Sequence, residues 1–125
     1  MPKILVVEDN ETSREMLARR LDRKGFAVVT AADGEQGYAL AQSEPPDLIL
    51  MDISLPGMDG WQVIELLKAE AATREVPLII LTAHALVNDR ARADEIGCKD
   101  YFSKPVDFKQ LLGTIDRLLM EKKPA

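Results

Sequence analysis

Short apolar runs alternate along this chain with longer stretches in which apolar residues return every three or four positions, the pattern of repeated β–α units. The strand-like runs are Lys3–Val7, Ala27–Ala31, Leu48–Met51, Leu78–Leu81 and Lys99–Ser103. Helices are predicted near 11–24, 34–43, 60–71, 84–96 and 107–121. Leu17 and Leu21 stack at i, i+4 in the first helix, and Gly25 ends it. Phe108, Leu111, Leu112, Ile115, Leu118 and Leu119 form an apolar stripe in the last, with Asp107 at its N-cap position. The punctuation agrees. Asp33-Gly34 opens the second helix and Pro45-Pro46 follows it, while Pro77 stands at the start of the fourth strand, where a missing N–H is tolerated.

Ile49-Leu50 and Ile79-Ile80-Leu81 are apolar without alternation, as strands buried on both faces must be. Such strands belong to a parallel sheet covered by helices. The predicted class is therefore α/β, a flavodoxin-like doubly wound fold of (βα)5 form. Ligands of such sheets sit beyond the carboxyl ends of the strands, where strand order reverses. Glu8-Asp9 follows the first strand, Asp52 the third, Thr82 the fourth and Lys104 the fifth. A carboxylate at the tip of a buried strand is costly to keep ionised unless a cation or donor meets it. Three acids and a lysine, each at a strand terminus, point to a site for a divalent cation and a phosphoryl group.

Composition narrows the function. At 125 residues, the chain is expected to be one domain spanning 1–125, with no linker and no output domain. A net charge of −5 argues against a general nucleic-acid binder. Cys98 is the single cysteine and cannot form an internal disulfide; no charged-then-apolar leader precedes the first strand. No apolar run approaches the roughly 20 residues that span a bilayer. A reducing, cytoplasmic setting without membrane insertion is expected.

Four motifs in order, Val6-Val7-Glu8-Asp9-Asn10, Pro46-Asp47-Leu48-Ile49-Leu50-Met51-Asp52 with Leu55-Pro56-Gly57-Met58-Asp59-Gly60, Leu81-Thr82-Ala83, and Ser103-Lys104-Pro105, resemble the receiver domains of two-component response regulators. The resemblance covers nearly the whole chain and implies the strand order 2-1-3-4-5. It implies a stand-alone, chemotaxis-regulator-like protein that takes a phosphoryl group on Asp52 from a phosphohistidine. By the same resemblance, it would catalyse only its own phosphorylation and dephosphorylation. The implied cofactor is Mg²⁺ (or Mn²⁺), a hard cation suited to oxygen ligands. Asp9 and Asp52 would hold it directly, Glu8 through water, and Ser54 by its backbone carbonyl. Lys104 would balance the phosphoryl charge, Thr82 would donate its hydroxyl, and Ala83 would leave room and offer its N–H. Lys104-Pro105 is expected to be cis.

The same resemblance implies a switch in which Thr82 and Tyr101 move together; the simpler reading of Tyr101 is an edge aromatic packed on the last helix. Ser54 and His84 flank the site, where they would affect the approach of water. The partners implied are a sensor histidine kinase or histidine phosphotransfer protein, docking on the first helix near Asn10, Ser13, Arg14 and Met16, and a downstream protein target. Ala85-Leu86-Val87 is a candidate output face, and the chain is expected to be a monomer or weak dimer. Trp61 is assigned no catalytic role.

Taken singly, each site residue has a blander reading. Asp52 before a Pro-Gly turn would be a cap, Glu8-Asp9 a solvated pair, Lys104 a surface charge and Thr82 a satisfied strand-end hydroxyl. Their joint placement favours the site. Rival functions are a small aspartyl-phosphate phosphohydrolase, a flavin or nucleotide binder, and a receiver that binds partners without phosphorylation. Asp52-Ile53-Ser54 lacks the Asp-x-Asp common in the first, and the acidic Glu8-Asp9-Asn10-Glu11 turn would repel phosphate in the second.

Overall fold

The structure, a computed structural model, describes residues 1–55, 57–83 and 87–122, and the side chains of all of these except 87–89 and 122. Five β–α units follow one another: β1 Lys3–Val7, α1 Glu11–Arg23, β2 Ala27–Ala31, α2 Gly34–Ser43, β3 Leu48–Asp52, α3 Gly60–Ala69, β4 Leu78–Thr82, α4 Val87–Ile96, β5 Asp100–Ser103 and α5 Phe108–Lys122. The strands are parallel in the order β2-β1-β3-β4-β5, as expected.

The central strands β1, β3 and β4 bury both of their faces, which is why the sequence shows apolar runs there and not alternation. Ile4 and Val6 of β1, Leu48 and Leu50 of β3, and Ile79 and Leu81 of β4 meet Leu21 of α1 and Leu111, Ile115 and Leu118 of α5. Their neighbours Leu5, Val7, Ile49, Met51, Leu78 and Ile80 face the other way, onto Ala41 of α2, Val63, Ile64 and Leu67 of α3, and Ala93 of α4. A one-residue slip of any strand would exchange these two sets, so the double core fixes the register.

The helix ends follow the predicted chemistry. Asn10, Asp33 and Asp59 cap α1, α2 and α3 by accepting from Ser13, Gln36 and Gln62 N–H groups, and Asp107 accepts from Gln110 at α5. Gly25 closes α1 with φ +93°, a left-handed conformation that a Cβ disfavours. Register then sets the functional edge. Val7 pairs with Met51, Asp52 with Leu81, and Thr82 with Ser103, so the residues that follow each strand emerge at one edge of the sheet.

Candidate functional site

Asp52 is the last residue of β3 and is 2% exposed. Its Oδ1 accepts the Ser54 N–H at 2.8 Å, which fixes the carboxylate and leaves Oδ2 toward β5. Ile53 N–H continues the ladder to the Leu81 carbonyl, and the Gly60 N–H folds back onto the Ile53 carbonyl at 3.2 Å. Gly60 lies so close to this strand end that a Cβ there would stand 2.6 Å from the Asp52 carbonyl oxygen. The loop that follows Asp52 is thus pinned at both ends.

Lys104 reaches the same point from β5. Its N–H donates to the Thr82 carbonyl at 2.7 Å, its bond to Pro105 is cis, and its Nζ donates to Asp52 Oδ2 at 3.0 Å. The same Nζ donates to Glu8 Oε1, while Glu8 Oε2 accepts the Asn10 N–H at 3.1 Å. Glu8 is fully buried, held after β1 by its N–H on the Ala31 carbonyl. Two buried carboxylates therefore share one ammonium.

The electrostatics follow. Burial pushes the Glu8 carboxyl up to about 7; the Lys104 bond pulls it down without prevailing, and the Asp52 neighbour adds to the rise. For Lys104, burial opposes the charge, but its bonds to Glu8 and Asp52 outweigh burial and hold its pKa above the usual lysine range.

Each of Glu8, Asp9 and Asp52 offers a carboxylate oxygen, and these oxygens lie within 4.8 Å of one another. Asp9 is exposed at the rim while the other two form the floor. That set fits a hard divalent cation, which takes a few carboxylates and keeps several waters. Both Glu8 oxygens accept hydrogen bonds, from Lys104 Nζ and the Asn10 N–H. Ser54 is exposed beside Asp52, Thr82 is buried at the end of β4, and Ala83 is exposed just beyond it. Pro56, His84, Ala85 and Leu86 lie outside the described residues, as does the side chain of Val87.

Three residues make contacts that the sequence did not show. Tyr101 is buried, but it packs in the cluster that holds Ala93 of α4; Phe102, the next residue, turns to α5. The period-2 alternation of β5 decides this, so the simpler reading of Tyr101, an edge aromatic packed on the last helix, does not hold. Arg14 is not simply a docking residue: its Nη1 donates to the Glu8 carbonyl at 2.9 Å, bracing the acidic turn. Asn10 is the α1 N-cap, its side chain accepting from Ser13. Met16 keeps its place on the surface, 49% exposed, beside a groove of about 440 Å³ lined by Glu8, Ser13, Met16, Leu17, Lys104 and Phe108. Sequence reasoning had no signal for the Arg14 bond, which depends on how the turn between β1 and α1 closes.

Comparison with known proteins agrees with this geometry. Residues 4–116 match the model of the response regulator receiver domain. The chain is 40% identical over 119 residues to protein PilH of Pseudomonas aeruginosa, covering 95% of this chain and 98% of PilH. It is 39% identical to the transcriptional regulatory protein HprR of Escherichia coli and 42% identical to the phosphate regulon regulator PhoB of Klebsiella pneumoniae, covering 90% and 98% of this chain. The chain spans about half the length of these two, 49% and 53%. Among solved structures, chemotaxis protein CheY4 of Vibrio cholerae superposes with a TM-score of 0.88 at 29% identity, over 94% of this chain and 98% of CheY4. The receiver domain of a Syntrophus aciditrophicus signal transduction histidine kinase gives 0.91 at 31% identity, over 100% and 95%. Sequence, fold and the acid–lysine edge converge: the chain belongs to the response regulator receiver domain family.

Proposed function

We propose that this protein is a response regulator that accepts a phosphoryl group on Asp52 from a phosphohistidine donor and thereby changes its protein contacts. The observation that carries this reading is the pairing of Asp52 Oδ2 with Lys104 Nζ at 3.0 Å, inside the Glu8–Asp9–Asp52 cluster. A carboxylate oxygen of Asp52 attacks phosphorus and forms an acyl phosphate. The phosphorus–nitrogen bond to the donor imidazole breaks, and that nitrogen keeps the electron pair and takes a proton. Lys104 would meet charge on the transferring oxygens, Thr82 would donate its hydroxyl, and Ala83 its N–H.

Receiver domains hold Mg²⁺ in an acidic pocket, and the cluster here is of that kind. Bound there, the cation supplies positive charge that offsets repulsion between the carboxylates and the incoming phosphoryl group. In this chain Asp9, Asp52 and the Ser54 carbonyl would hold it, with Glu8 acting through water.

The donor is a sensor histidine kinase or histidine phosphotransfer protein, the classes with which receiver domains interact. Met16 and Ser13 on α1, beside the groove that opens next to Lys104, favour docking there. Thr82 at the site edge and Tyr101 in the same region of β5 are the residues through which occupancy would be passed on. Residues 1–125 form the receiver unit, and a cytoplasmic place suits it; among the described residues no helix is long and apolar enough to cross a membrane.

Incubation with Mg²⁺ and acetyl phosphate tests the reading by mass spectrometry. A gain of one phosphate in the wild type that is absent in Asp52→Asn is expected. Steady release of phosphate from a phosphate ester would instead favour the hydrolase. Absence of labelling even with a phosphohistidine protein would favour the phosphorylation-independent binding module.

A further inference from the structure

α4 is held differently from its neighbours. α3 buries Trp61, Val63, Ile64 and Leu67, and α5 buries Leu111, Ile115 and Leu118. Among the described side chains of α4, Ala93 is buried and Ile96 half-buried, while the rest are exposed. Its other fastenings are arginines on aromatic rings. The Arg92 guanidinium carbon sits 4.5 Å from the Trp61 ring centroid, and that of Arg90 sits 5.9 Å from the Tyr101 centroid, with Arg90 also 3.9 Å from Asp100.

The Trp61 ring is a fixed platform. It is 7% exposed, directly follows Gly60, and stands in the first turn of α3, whose start is locked by the Asp59–Gln62 capping box. Gly60 is pressed against the backbone of Asp52 and Ile53 and donates to the Ile53 carbonyl. A continuous path of close contacts therefore runs from the end of β3, through Gly60 and the indole, to the guanidinium of Arg92.

We propose that Arg92 on Trp61 is a clip that fastens α4 to the end of the phosphoacceptor strand, so that the docking of α4 depends on the geometry of Asp52, Ile53 and Gly60. A cation over an indole face is the strongest pairing of its kind, and the planar guanidinium covers the ring where an ammonium would not. Because coupling is reciprocal, a ligand at Asp52 that shifts this loop must change the clip, and loss of the clip must change the response of α4 to that ligand. This second half rests on the phosphoacceptor reading; the first half does not.

Amide hydrogen exchange read by mass spectrometry separates them. In the metal-free full chain, Arg92→Ala should speed exchange across α4 by about twofold to fivefold and leave α1 and α5 unchanged, with Arg92→Lys in between. Equal exchange of α4 in wild type and Arg92→Ala would overturn the clip. With Mg²⁺ and beryllofluoride added, α4 exchange should change in the wild type and change by less than half as much in Arg92→Ala. An equal ligand response in both proteins would overturn the coupling. A failure of Asp52 to take phosphate from acetyl phosphate would show separately, as a missing mass gain, and would leave the metal-free result standing.

Discussion

Replacing Glu8 with glutamine should remove most of the pH dependence of stability near neutrality. Glu8 is fully buried and shares the Lys104 ammonium with Asp52, and its carboxyl lies at about 7 in the folded chain against 4.5 for a free side chain. Between those values the folded state holds a proton that the unfolded state has released. Stability must then fall as pH rises, with the penalty absent below about 4.5 and complete above about 7. A rise of this size corresponds to about 3 kcal/mol, at up to about 1.4 kcal/mol per pH unit. Glutamine keeps the shape and an oxygen for Lys104 but carries no titrating proton. Urea unfolding in EDTA, followed by Trp61 emission at pH 5, 6, 7 and 8, gives the difference between the two proteins and cancels groups common to both. The Glu8→Gln protein should gain about 3 kcal/mol on the wild type across that range. A difference that stays flat with pH, or that runs the other way, would refute the assignment of a raised, shared carboxyl.

Lys104→Met should slow labelling by acetyl phosphate by about 10²–10³-fold at fixed Mg²⁺, the loss typical of one preorganised donor; a rate within threefold of wild type, on the order expected for an uninvolved residue, would remove Lys104 from the site. Gly60→Ala should lower stability by about 1–3 kcal/mol in urea, because its Cβ meets the backbone of Asp52 and Ile53, not a side chain that can turn away. Burial raises the Cys98 thiol to about 11, with Asp94 adding to the rise and Lys68 opposing it. Alkylation of native protein by iodoacetamide at pH 8 should be about a hundredfold slower than in urea, followed by mass gain.

The sequence located most elements to within two residues because each carries its own punctuation: Asp33, Asp59 and Asp107 at caps, Gly25 past a helix end, Pro77 before a strand. α4 starts at Val87, and the predicted start at 84 falls outside the described residues. The site edge was legible for a different reason. Parallel strands deliver their carboxyl ends to one side, so Glu8, Asp52, Thr82 and Lys104 could be placed together without any contact being known. What could not be read was how the side chains divide one ammonium. Glu8, expected near a cation, also accepts from the Lys104 ammonium that it shares with Asp52, which depends on its extra methylene and on the depth of the pocket. The face on which Tyr101 lies and the Arg14 bond could not be read on the same ground, since the face of a four-residue strand and the reach of an arginine across a turn are tertiary facts.

The register that gathers Glu8, Asp52, Thr82 and Lys104 at the carboxyl edge puts the returning connections at the amino edge. Connections 44–47, 70–77 and 97–99 return the chain to the sheet there. Within 70–77 the exposed pair Ala71-Ala72 precedes Thr73, whose hydroxyl anchors the turn on the Leu67 carbonyl. Extra residues between Ala71 and Ala72 would add only a slowly growing closure cost, since each doubling of loop length costs about 0.6 kcal/mol. The fold thus offers an attachment point for foreign sequence at the far end of the molecule from Asp52, where growth of the chain need not disturb the distances between the acids and the lysine.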